Sequence, residues 1–148
     1  MIRDRKRHER GNTLVEFALS FAFLFPVLYG TFQFGYAFFI YNQLNSAVRS
    51  GARYGSCLRY ESATTTPPEA FQAAVKNVVV YGSPVALANV TIPSLTAANV
   101  SVEVNFVDAV PATITVAISG YTLNVIFRKF VISKPSVTFP YTGVYAPS

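Results

Sequence analysis

The chain has 148 residues, of which 51% are apolar and only 13% charged, and its mean hydropathy is +0.35. A soluble domain is usually about a quarter charged, so this composition argues against a freely soluble cytosolic protein and against a disordered one. One cysteine, Cys57, and one histidine, His8, rule out an internal disulfide framework and a cysteine-cluster metal site.

The net charge of +5 is unevenly placed. Residues 1–11 hold Arg3, Arg5, Lys6, Arg7 and Arg10 against Asp4 and Glu9, a net of +3, leaving +2 for the rest of the chain. No basic stripe remains for a nucleic-acid interface. A charged head before an apolar run reads as a targeting device retained in the cytoplasm.

From Phe17 to Val48 there are 32 residues without a charge, and Phe17–Tyr41 holds eight Phe and three Tyr. A bilayer core takes about 20 apolar residues as a helix. The run is therefore long enough to span and too long for a cleaved secretory signal. By the positive-inside rule the N-terminus is cytoplasmic and the remainder exported. Pro26 falls inside this helix, where it removes one backbone bond and loosens or kinks it; it also fits ordinary membrane-helix composition.

After Tyr41 the pattern becomes amphipathic. Leu44, Ala47, Val48, Gly51, Ala52 and Gly55 share one face, and Asn42, Asn45, Ser46, Arg49 and Arg53 fall on the other. Ala47, Gly51 and Gly55 form a small-residue ridge that lets another helix approach closely. A helix over 12–58 would place its outer third against a globular head or a neighbouring subunit. Arg49 and Arg53 read either as a solvated face or as partners for acids or lipid phosphates. Cys57 reads as a buried small hydrophobe, with an intermolecular disulfide as the other reading.

Residues 59–66 read as a linker. Thr66-Pro67-Pro68-Glu69 then predicts a helix start with Thr66 as N-cap and Pro67 at the first turn. The second helix covers about 67–81, with Phe71, Ala74, Val75, Val78 and Val79 as its apolar stripe and Gly82 just past its end. Beyond residue 85 the period becomes two. Val100, Val102, Val104 and Phe106 make one half-buried strand, and Ile114, Val116 and Ile118 another, joined around Asp108–Pro111 as an antiparallel hairpin. Val137–Phe139 adds a third strand. Residues 121–132 read either as a strand or as an amphipathic connector near the membrane. The fold class is α+β: a long N-terminal transmembrane helix, a short second helix and a small antiparallel sheet over 67–148.

The junction Arg10-Gly11-Asn12-Thr13-Leu14-Val15-Glu16-Phe17 holds the most information. Glu16 is the only acid between Glu9 and Glu61, and a carboxylate at the mouth of a membrane helix is costly. One reading is a capping box, with Thr13 as N-cap and Glu16 three residues on. That reading leaves the glycine beside a basic leader without a role.

Gly-x-Thr-Leu-x-Glu after a basic leader resembles the class III signal of type IV prepilins. Together with Val15-Glu16-Phe17-Ala18-Leu19, Pro26, Gly30, Gly35 and Ala47-Val48-Arg49-Ser50-Gly51-Ala52-Arg53, it resembles the TadE-like pseudopilins of tight-adherence pilus systems. The resemblance covers residues 10–55. It implies cleavage between Gly11 and Asn12 by a prepilin peptidase, a bacterial inner-membrane location, and partnership with other pilins and pilus assembly machinery. It also implies that Glu16 sets subunit register, since the new α-amine on Asn12, or that of an adjacent subunit, lies within reach to neutralise it. Buried charges are tolerated when paired.

No Ser/His/Asp set, phosphate-binding loop or metal-ligand cluster is present in the sequence, and no cofactor is expected. With His8 in the leader and the acids scattered, an enzyme is not expected. The expected function is structural, a minor pseudopilin in pilus assembly. The alternatives are a single-pass anchored extracytoplasmic binding module outside any filament, and a secreted protein with a discarded signal.

Overall fold

The computed structural model describes residues 5–125 and 128–147. Helix α1 spans Arg5–Cys57 and α2 spans Glu69–Tyr81; a short 3-10 turn at Ala97–Asn99 leads into the strands. These are β1 (Val100–Val107), β2 (Val110–Ile118), β3 (Tyr121–Val125), β4 (Arg128–Ile132) and β5 (Ser136–Pro140). The α+β class is borne out.

The chain divides into two compact units, residues 1–38 and 39–148. The described residues of the first are all helix. In the second, the remaining turns of α1 bury Ile40, Leu44, Val48 and Ala52 at helical spacing, while Arg49 and Arg53 stay exposed. Helix α2 buries Phe71, Val75, Val78, Val79 and Val80. The β-sheet closes the core with Val100, Val102 and Val104 of β1 and Ile114, Val116 and Ile118 of β2.

Strand order is β1-β2-β5, antiparallel throughout. The Val100↔Ile118 to Asn105↔Thr113 register puts the alternating apolar sets of β1 and β2 on one face. The register shifts between Asn105 and Phe106, so Pro111 faces Phe106. This irregularity lets a proline start the central strand although it cannot donate to the ladder. The turn is Asp108–Ala109, with φ of 52° and 61°, as the tight turns that match strand twist demand. A second, separate hairpin pairs β3 with β4, so the described residues of the ambiguous segment, 121–125 and 128–132, are two strands.

Three local expectations change. Helix α1 begins at Arg5 and runs through Thr13, so Thr13 is not an N-cap. Helix α2 begins at Glu69, not Pro67, with Pro68 as its flanking residue at φ −55°, ψ 149° and no side-chain cap. The reason is steric: Pro68 bars the preceding Pro67 from helical geometry. Cys57 is exposed rather than buried, because it falls off the buried stripe at the last residue of α1. Gly82 does end α2 in the left-handed region, at φ 70°, with its N–H donating to the Val78 carbonyl.

Within the segment read as a linker, Tyr60 belongs to the core, while its neighbours from Glu61 to Thr66 are exposed or half-buried. Tyr60 is fully buried and packs edge-on to Phe71 and Phe106 at 5.3 and 5.7 Å. A C-terminal strap holds it in place. The Tyr60 N–H donates to the Val144 carbonyl, and the Ala146 N–H to the Tyr60 carbonyl, at 2.9 and 3.0 Å. Tyr141 Oη donates to the Leu58 carbonyl at 2.6 Å.

Candidate functional site

The first candidate is the apolar face of α1. Every described side chain from Asn12 to Leu28 is exposed, including Leu14 at 69% and Phe17 at 68%. Phe17, Phe21, Phe25 and Tyr29 recur every fourth residue, so they stand above one another on one helix face. Their rings stack at 6.3, 5.3 and 6.0 Å. Two of the polar groups of α1 are satisfied locally. Thr31 Oγ1 donates to the Val27 carbonyl at 2.9 Å, and Gln33 Nε2 donates to Tyr29 Oη. Pro26 does not interrupt the helix. The 46 residues Asn12–Cys57 are long and apolar enough to cross a membrane, and the apolar window has none of its surface buried within the protein.

Gly11, Asn12 and Glu16 all lie within α1. Asn12 and Glu16 are exposed, and Glu16 has no ionic partner among the described residues. A carboxylate at Glu16 beside exposed Leu14, Val15 and Phe17 is not explained by the hydrophobic effect. The basic leader side chains lie outside the residues whose side chains are described.

The small-residue ridge has a different setting. Ala47 is half-buried, while Gly51 and Gly55 are buried. A Cβ on Gly51 would collide with Val79, and one on Gly55 would lie 2.5 Å from Ile114 Cδ1 and 2.9 Å from Val75 Cγ2. The ridge is thus the seat of this chain's own α2 and of β2. A shallow groove of about 210 Å³ remains beside it, between Gln43, Ser46 and Ser50 of α1 and Gly82 and Thr91 beyond α2.

No group of acids, His or Cys with metal-binding spacing exists among the described residues. Burial raises the Tyr60 and Tyr141 hydroxyls above the ordinary tyrosine value of 10.0. Tyr60 lies in the core beneath the strap, and the half-buried Tyr141 belongs to the strap itself.

Residues 11–53 match the family model TadE, described as TadE-like protein. This segment is similar to TadE-like proteins. The match begins at Gly11, takes in Glu16 and the aromatic ladder, and stops at Arg53, four residues short of the end of α1. No curated protein and no solved structure matches the chain at a significant level. The α2 and β-sheet region therefore stands on its own geometry.

Proposed function

We propose that this chain is a minor pseudopilin-like membrane protein that takes part in assembling a tight-adherence pilus, with a structural and not a catalytic role. The observation that carries the reading is the coincidence of the TadE-like match with a helix whose apolar side chains are exposed from Asn12 to Leu28. Such a surface needs an apolar medium, supplied first by lipid and then by neighbouring helices in a filament. The basic leader stays cytoplasmic, and the unit from Phe39 onward is exported from the bacterial inner membrane. A prepilin peptidase cuts between Gly11 and Asn12. The freed α-amine of one subunit then pairs with Glu16 of the next, so that a charge costly in lipid is neutralised on assembly.

The test is the mass of the mature N-terminus of protein isolated from its native host. The reading expects the chain to start at Asn12. An intact Met1 overturns it in favour of an anchored binding module, and a start beyond residue 40 in favour of a secreted protein.

A further inference from the structure

The β3–β4 hairpin forms a two-stranded sheet of its own, paired from Tyr121↔Ile132 to Val125↔Arg128. One end is anchored. Tyr121 and Leu123 are buried, and Tyr121 Oη donates to the Pro93 carbonyl at 2.9 Å. The second strand is different. Phe130 is 51% and Val131 67% exposed, and these neighbours point to opposite faces of the strand. Lys129 and Lys134 beside them are exposed as well. Beyond Asp108 the sequence has three cations, Arg128, Lys129 and Lys134, and no Asp or Glu.

Isolated two-stranded hairpins are marginal in water and need something to pack on. Interleaved apolar and cationic side chains, with no carboxylate in the surrounding sequence, match the interface of an anionic bilayer. There an aromatic or aliphatic group enters the headgroup boundary while lysines meet lipid phosphates.

We propose that β4 docks on the surface of an anionic membrane through Lys129 and Val131, which share one face of the strand, with Lys134 just past its end. The proposal rests on the membrane-anchored reading of α1. A tethered chain meets its own bilayer at high effective concentration, so a weak contact suffices. Docking would hold the exported unit close to the bilayer, and release would accompany entry into a filament.

The test uses the full chain with Cys57→Ser and an environment-sensitive fluorophore at Val131→Cys, one copy per nanodisc. In mixed phosphatidylcholine–phosphatidylglycerol discs the emission should shift blue and be quenched by a lipid-borne quencher. Phosphatidylcholine alone should give several-fold less quenching. Lys129→Glu with Lys134→Glu should reduce the docked-to-free ratio by about fivefold or more per lysine. Lys129→Gln with Lys134→Gln should give an intermediate loss, and high salt should reverse the shift in the protein with both lysines intact. Water-like emission in both lipids overturns the proposal. Equal quenching in both lipids, unchanged by salt, also overturns it, as does a shift that appears only with two copies per disc or with an added acidic protein. Recovery of the chain in nanodiscs tests the anchoring separately, so the two readings fail independently.

Discussion

Val79 of α2 occupies the space that a side chain on Gly51 of α1 would need. The Val75 carbonyl is 3.5 Å from the same Cβ position, in ordinary contact, so the collision is with the branched, rotationally stiff Val79 side chain. Overpacking of this kind costs about 1–3 kcal/mol, which outweighs the gain of about 1 kcal/mol in helix propensity from replacing glycine. Gly51→Ala should therefore lower the thermal midpoint of the detergent-solubilised chain. Val79→Ala should also destabilise it, through the cavity it leaves. Combined, the two should cost less than their sum by about 1 kcal/mol, because each relieves the other. Strict additivity in the melting series would refute the contact.

Glu16 is exposed on an apolar helix and has no ionic partner among the described residues. Its replacement should leave the fold of the 39–148 unit intact, since it contributes nothing to that core. Under the proposed function, Glu16→Ala should still be processed at Gly11 but lose copurification with partner pilins. Glu16→Gln should do the same, because the amide keeps size and loses charge. Pull-down from native membranes checks this, and undiminished complexes with either variant would remove Glu16 from the assembly step.

The elements with a strong period were legible in the sequence. The Ile40–Ala52 stripe, the Phe71–Val79 stripe and the alternations of β1 and β2 each follow from one buried face, and Gly82 from its φ of 70°. What was hidden depends on distant chain. Tyr60 looks like linker because three of its ring partners, Phe106, Tyr141 and Tyr145, come more than forty residues later, and only Phe71 is nearer. Gly51 and Gly55 announce a close approach but not its source, and the structure fills that place with α2 of the same chain. β3 alternates Tyr121, Leu123 and Val125 with Thr122 and Asn124, but β4 places apolar and basic residues at both parities, so no single period runs through the segment. Glu16 was visible as a lone acid, whereas the partner proposed for it lies outside the chain.

Ala109 holds φ at 61° in the β1–β2 turn, directly after Asp108 at 52°. Left-handed backbone costs an L-residue with a Cβ roughly 1 kcal/mol and costs glycine little. Ala109→Gly should thus raise stability by several tenths to about 1 kcal/mol, offset in part by the greater freedom of the unfolded chain. Ala109→Val should lower it by more. Denaturant midpoints of the three proteins check the order, and a destabilised glycine variant would show that the turn is not strained.

Burial of Tyr60 and Tyr141 gives the fold an alkaline limit. Both hydroxyls are raised above 10.0 chiefly by desolvation, whereas the unfolded chain ionises its tyrosines near the ordinary value. The unfolded state therefore releases protons first as pH rises. Stability from this source is complete below about pH 10 and is lost as pH climbs from there through the folded values. At neutral pH, Tyr60→Phe forfeits the hydrogen bond from Tyr60 Oη to the Thr64 carbonyl at 2.8 Å, worth about 1 kcal/mol. Above pH 10 the same variant should lose stability less steeply than the unaltered chain, since one titrating group is gone. Tyr141→Phe should flatten the curve in the same direction, at the cost of its bonds to the Leu58 and Val144 carbonyls. Thermal midpoints followed from pH 7 to pH 11 decide the matter: parallel curves for all three proteins would mean that neither hydroxyl is desolvated in the folded chain.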